Sequence, residues 1–285
     1  MGVPRMREIN VKEVEEAVRN LCIEANYYLG SDIKEALSKA KENEPYAIAK
    51  DVLEKIIINS NIASDEKMPM CQDTGMACVF LEVGQDVHLV GGLLEDAINQ
   101  GVRRGYEDGY LRKSVVKDPI DRVNTKDNTP ALIYYDIVQG DKVKITLAPK
   151  GFGSENMSRI GMLKPADGLE GVKDFIIETV RLAGPNPCPP MVIGVGIGGS
   201  FDKAAYLAKK ALIRPINIRN MNEYYSDLEK ELLEKINKLG IGPQGFGGKT
   251  TALGLNIETY PTHIAGLPVA VNINCHATRH KDITL

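Results

Sequence analysis

The sequence predicts an α+β fold. Three features predict it: helical apolar periodicity in the first third, β-rich runs punctuated by glycine in the middle, and intermixed strands and helices thereafter. In VKEVEEAVRNLCIEANYYLG, Val11, Val14, Val18, Leu21, Cys22 and Ala25 recur at spacings of three and four, one apolar stripe of a helix. Cys22 lies on that stripe and reads as core. Ser31 reads as the N-cap of a second helix, SDIKEALSKAKENE, and Pro45 opens a third, PYAIAKDVLEKIIINSNIA. MPMCQDTG, residues 68–75, interrupts the helices, and ACVFLEVG follows with strand character. Cys78 within that run reads as a small buried hydrophobe.

LLEDAINQGVRRGYEDG returns to helix, and LRKSVVKDPIDRVNTKDNTPA, without periodicity, is a long loop of the kind that carries function. ALIYYDIVQGDKVKITLAPKG reads as two strands around Gly140–Asp141, a hairpin. GLEGVKDFIIETVRLAG is a helix ended by Gly184. After PNPCPP come the strand MVIGVGIGG, the helix SFDKAAYLAKKALI and the amphipathic helix NEYYSDLEKELLEKINKLG; LPVAVNINCHATRH runs from strand into a ligand-rich turn. No internal repeat, low-complexity tract or linker is evident. The expectation is a single domain over 1–285, with a helical part at about 1–110 and a mixed α/β part at about 111–285.

Composition excludes several classes. Hydrophobic residues make up 43%, charged residues 26%, and the net charge is -3, so there is no footprint for nucleic acid or an anionic membrane. No apolar run approaches the roughly 20 residues of a membrane span. The N-terminus carries charges where a signal peptide needs an apolar stretch, and Met6 stands where myristoylation at Gly2 needs Ser or Thr. A cytoplasmic location is expected. The five cysteines are odd in number and sparse, which argues against a disulfide framework.

Two glycine motifs invite nucleotide readings. GVGIGG, residues 194–199, follows a strand and precedes a helix, as a dinucleotide fingerprint does. The acidic residue expected about twenty residues later is absent, however, with no carboxylate in ALIRPINIRNMNE before Glu223. GPQGFGGKT, residues 242–250, resembles a phosphate loop, but Pro243 breaks the glycine spacing by one residue. An anion-contacting loop with Lys249 as its cation is the reading kept there.

Three cysteines remain: Cys71 in PMCQDTG, Cys188 in NPCPP and Cys275 in NCHATRH, each in a turn-rich segment. Either they are unrelated thiols or they are ligands gathered from distant loops. Zinc would want paired C-x-x-C spacing, which is lacking. Three isolated cysteines better suit a [4Fe–4S] cluster with one iron open as a Lewis acid. Asp73, beside Cys71, is then a candidate general acid and Gln72 a substrate partner; an Asx-turn is the alternative, compatible role of Asp73.

These segments, with LRKSVVKDP, RVNTKDNTPA, KGFGSEN, GIGGSFDKA and GFGGKTTALG, resemble the α subunit of class I, iron–sulfur-dependent fumarate hydratases and the closely similar L(+)-tartrate dehydratases. The likeness runs from about residue 65 to the C-terminus. It implies a [4Fe–4S] cluster held by Cys71, Cys188 and Cys275, whose fourth iron binds a dicarboxylate. It implies substrate contacts for Gln72, Asp73, Arg112, Gly151, Gly153 and His263, with Asp73 an acid–base participant and Arg112 a carboxylate clamp. Phe152 departs from the three glycines more usual in KGFG. His276 and His280 could orient Cys275. In single-chain members a C-terminal domain supplies further basic residues and a threonine proposed as the base. Because this sequence ends at CHATRHKDITL, the resemblance implies a separate β subunit and an oligomer. The implied reaction is reversible, oxygen-sensitive hydration of fumarate to (S)-malate, with tartrate dehydration as the close alternative. A nicotinamide oxidoreductase and a zinc-stabilised regulatory subunit are the competitors from other classes.

Overall fold

The computed structural model describes residues 6–285, so the reading of Gly2 lies outside the described residues. In chain order the elements are β1 (Arg7–Asn10), α1 (Val11–Tyr27), α2 (Ser31–Asn43), α3 (Ala47–Asp65), β2 (Met76–Gly84), β3 (Val87–Val90) and α4 (Leu94–Asp108). Then come β4 (Leu132–Val138), β5 (Val143–Lys150), the single turn α5 (Phe152–Glu155), β6 (Arg159–Leu163), α6 (Gly168–Ala183), β7 (Met191–Gly198) and α7 (Phe201–Ala211). Last are α8 (Glu223–Asn237), β8 (Ala252–Tyr260), β9 (Leu267–Asn274) and β10 (Lys281–Thr284). The α+β class holds.

The chain forms two compact units. Unit 1 comprises the described residues of Met1–Leu29 with Ser60–Gly151 and Arg279–Leu285; unit 2 comprises Gly30–Asn59 and Phe152–Thr278. The helical part expected at about 1–110 thus contributes to both units.

In unit 1, α1 starts at a capping box: Asn10 Oδ1 accepts from Lys12 N at 3.0 Å, and Glu13 accepts from Asn10 N at 3.2 Å. Its stripe is buried as the periodicity requires, with Val14, Val18, Cys22 and Ala25 fully inaccessible. The sheet order is β10-β5-β2-β4. β4 and β5 are therefore not a hairpin. β2 lies between them, parallel to β4 (Cys78↔Leu132) and antiparallel to β5 (Met76↔Lys150). Its run is apolar on both faces, which makes it the central strand, and its end inserts into the Gly140 turn. There Gly84 N donates to Lys142 O, Gln85 N to Val138 O and Asp86 N to Gly140 O, at 2.8 to 3.0 Å.

In unit 2 the sheet order is β6-β9-β7-β8, with β7 buried along its whole length. β7 pairs parallel with β8 and antiparallel with β9. Each unit thus has a central strand flanked by one parallel and one antiparallel neighbour, with a further antiparallel strand outside: a repeat of pairing that the sequence conceals. Two helix starts differ from expectation. Gly30, not Ser31, is the N-cap of α2, and its residue type offers no side-chain cap. Lys50 N donates to Tyr46 O at 2.9 Å, so Pro45 stands before the first turn of α3 rather than in it.

β7 also explains the GVGIGG motif. Gly194 and Gly196 sit inside the strand, where an added Cβ would fall 2.1 Å from Ala208 O and Ala204 O of α7. These glycines let a helix lie close on the sheet.

Candidate active site

Within each unit, sheet register brings some of the expected residues to one sheet end. In unit 1 the N-terminus of β2 and the C-terminus of β5 share one sheet end, because Met76 pairs with Lys150. The loop carrying Cys71, Gln72 and Asp73 precedes β2, and Gly151 follows β5, so they meet. A Cβ on Gly151 would lie 2.9 Å from Asp73 Oδ2. Asp73 Oδ1 accepts from Gly75 N at 3.1 Å, the Asx-turn anticipated from sequence, and Oδ2 faces Gly151. Cys71 is half-buried and its Sγ donates to Gln72 Oε1 at 3.4 Å.

This loop is clamped from beneath. Fully buried Tyr106 donates to Thr74 O at 2.7 Å and Gly75 O at 3.0 Å; the same burial raises its phenol well above the usual range, so it stays a donor. Buried Asn128 donates to Gly75 O at 3.1 Å and accepts from Ser114 N at 2.7 Å. Thr74 Oγ1 donates to Arg112 O at 2.9 Å, tying the Arg112 loop to the Asp73 loop. Arg112 itself is exposed. Farther along, Asp127 is held by Thr129 and Arg103. Partial burial pushes its carboxyl up, but bonds from the Thr129 hydroxyl and N–H and from Arg103 outweigh that and bring it down to about 2. Arg279, 6% exposed, donates to Asp73 O at 2.7 Å and to Asn26 Oδ1. Unit 1 thus brings together Cys71, Gln72, Asp73 and Gly151, a thiol, an amide and a carboxylate beside a glycine, with the backbone of the Arg112 loop tied to the same segment.

The same logic operates in unit 2. Val192 pairs with Asn274, which puts the turn before β7 and the turn after β9 at one sheet end. These turns carry Cys188 and Cys275. Cys188 takes φ +54°, held by its N–H bonding Pro185 O at 3.1 Å. His276 N donates to Cys188 O at 3.3 Å, and His276 Nδ1 lies 3.0 Å from that oxygen and from Gln244 Nε2. Gln244 also donates through backbone and side chain to Pro189 O, both at 2.8 Å. Gly153 sits in α5 rather than in an open loop. Glu155 of that turn accepts from Asn272 Nδ2 at 2.6 Å and from Lys209 Nζ at 2.7 Å, which docks α5 on β9 three residues before Cys275.

His263 is not brought to the cysteines within unit 2. It follows β8, whose parallel pairing with β7 puts it at the opposite sheet end, roughly 26 Å away for eight residues of strand. It is exposed and accepts from Ala265 N at 3.2 Å through Nδ1.

The five cysteines fall into two groups. Cys22 and Cys78 are core residues, and burial pushes the Cys22 thiol far up and keeps it protonated. Cys71, Cys188 and Cys275 are on turns, and no disulfide joins any of the described cysteines. Within neither unit, among the described residues, do three or more His, Cys, Asp and Glu side chains gather as a metal site. Thiols are soft donors of the kind an iron–sulfur cluster takes, and Cys71, Cys188 and Cys275 each lie on a turn, outside the cores of their units.

Sequence reasoning missed Arg279, Asn128 and Gln244. Arg279 is a buried charge inside the NCHATRH segment, and Gln244, with φ +52°, is the non-glycine residue holding a left-handed turn between Pro243 and Gly245.

Residues 15–284 match the family model described as fumarate hydratase (Fumerase). The chain is 45% identical over 274 residues to the "Putative L(+)-tartrate dehydratase subunit alpha" of Methanocaldococcus jannaschii, covering 94% of this chain and 95% of that one. It is 34% identical over 284 residues to the L(+)-tartrate dehydratase subunit alpha of Escherichia coli strain K12, covering 96% and 93%.

Proposed function

The chain belongs to the fumarate hydratase (Fumerase) family, and from that premise we propose that it is the cluster-bearing α subunit of a two-chain hydro-lyase that hydrates fumarate reversibly to (S)-malate. The observation that carries this reading is the sorting of the cysteines, two in the core and three on structured turns. Cys71, Cys188 and Cys275 would hold a [4Fe–4S] cluster. When bound, such a cluster supplies an open, Lewis-acidic iron.

The remaining work falls to side chains. Arg112 offers a guanidinium fork to one substrate carboxylate, and Gln72 an amide beside it. Asp73, fixed by its Asx-turn and by the Arg279 and Tyr106 clamps, holds the proton that accompanies loss of hydroxide in the dehydration direction. Gly151 and Gly153 leave room for substrate beside the backbone. His263 stands too far from Cys188 and Cys275 within its own unit to touch the same small diacid. Its substrate contact therefore falls to a second copy of the chain. A β subunit supplies the base and further cationic groups, and the assembly works in the cytoplasm. Its accessible cluster makes activity oxygen-sensitive.

L(+)-tartrate dehydration is the second reading, favoured by the names of the relatives. It differs by one hydroxyl on the same four-carbon frame. Anaerobic reconstitution with the β subunit, followed by turnover of each substrate, separates the two. Fumarate hydration is expected, with the α chain alone nearly inactive. Turnover of tartrate alone would overturn the first reading.

A further inference from the structure

Unit 2 carries a cavity of about 660 Å³ where α2, the end of α8 and the start of β8 meet. Its volume lies within the range of small-molecule sites. The floor is apolar, built from Ala36, Ala40, Leu233 and Leu253. Its rim carries Lys39, Lys238 and Lys249 against one carboxylate, Glu234. All three lysines are exposed, and no ion pair among the described residues includes any of them. Lys238 is the C-cap of α8 and complements that helix end, but Lys249 has no such role.

The wall is rigid. Asn237 Oδ1 accepts from Thr251 N at 2.8 Å and Ala252 N at 2.9 Å, which staples α8 to the start of β8. Buried Glu44 accepts from Lys249 N at 2.8 Å. A carboxylate of the chain therefore occupies the backbone N–H of Lys249, leaving the ammonium as the group that can meet an outside anion. Apolar floor, cationic rim and preformed wall describe a site for an anion with a flat body.

We propose that this cavity binds a nucleoside diphosphate, its base on the Leu233–Leu253 floor and its phosphates at Lys39, Lys238 and Lys249. This does not rest on the hydro-lyase reading, since binding is measured without turnover. Calorimetric titration of the full folded chain with ADP at low salt tests it, with tripolyphosphate as a probe of charge without a body. Saturable ADP binding is expected, weakened about tenfold or more by each of Lys39→Met, Lys238→Met and Lys249→Met, surface changes of which only Lys238→Met, at the end of α8, should lower the melting temperature slightly. Tripolyphosphate is expected to bind more weakly than ADP. Absence of saturable ADP binding, or binding unchanged in the triple variant, would overturn the site. Tripolyphosphate binding as tightly as ADP would overturn the nucleoside assignment.

Discussion

Arg279 Nη2 donates to the backbone carbonyl of Asp73 at 2.7 Å, while Nε and Nη2 both reach Asn26 Oδ1, at 3.2 and 3.1 Å. A buried guanidinium thus fixes the height of the Asp73 loop through its backbone carbonyl. Replacing it with methionine strands one buried and one part-buried acceptor, at a cost of about 2–3 kcal/mol. Arg279→Met should lower the melting temperature and reduce turnover by about tenfold or more, while Arg279→Lys, which lacks the fork, should recover only part of each. Thermal unfolding and turnover of both variants check this.

Gly151 and Gly153 should respond differently to alanine. At Gly151 the new Cβ would sit 2.9 Å from Asp73 Oδ2, so the carboxylate must turn away; at Gly153 nothing lies within 4 Å. Gly151→Ala should lower kcat with little loss of stability. Gly153→Ala should leave stability unchanged, and any kinetic cost there should appear in KM, as expected if substrate approaches that backbone.

Gly196→Ala tests why the GVGIGG motif exists. Its Cβ would meet a backbone oxygen of α7 at 2.1 Å, which no rotamer change relieves. Denaturant unfolding should show a loss of about 3 kcal/mol or outright failure to fold. Calorimetry with NADH on the wild-type chain should show no binding at this motif; saturable binding lost in a Gly196 variant that still folds would restore the dinucleotide reading.

Asp127 gives a pH dependence. Its folded pKa of about 2 lies below the ordinary 3.8, so the folded state binds fewer protons across that interval. Its stabilisation is complete above the unfolded value and is lost as pH falls through about 2. Asp127→Asn should therefore melt below wild type at neutral pH, with the difference shrinking from pH about 4 downwards. A difference that grew in acid would contradict the assignment.

Much of this architecture is legible in the residues. The α1 stripe works because each of its positions depends only on spacing along one helix, and helical spacing is local. The β4–β5 pairing fails for the opposite reason: Gly140–Asp141 looks like a hairpin turn locally, and only the long-range insertion of β2 shows that it is not. The repeated pairing of the two sheets stays hidden because it is a property of strand order, which leaves no periodic trace.

The candidate site divides along the same line. Cys71, Cys188 and Cys275 stand out because cysteine on a polar turn has no packing role. Arg279 and Asn128 do not, since nothing local distinguishes a buried, fully bonded polar side chain from a solvated one. The separation of His263 from the cysteines also needed the direction of β8 relative to β7.

The most direct measurement is an iron and inorganic sulfide count, with the visible absorbance, on anaerobically reconstituted protein. The account predicts about four of each per chain, lost or sharply reduced in Cys71→Ser, Cys188→Ser and Cys275→Ser and retained in Cys78→Ala. Zinc without iron and sulfide, or a full cluster that survives Cys188→Ser, would contradict it.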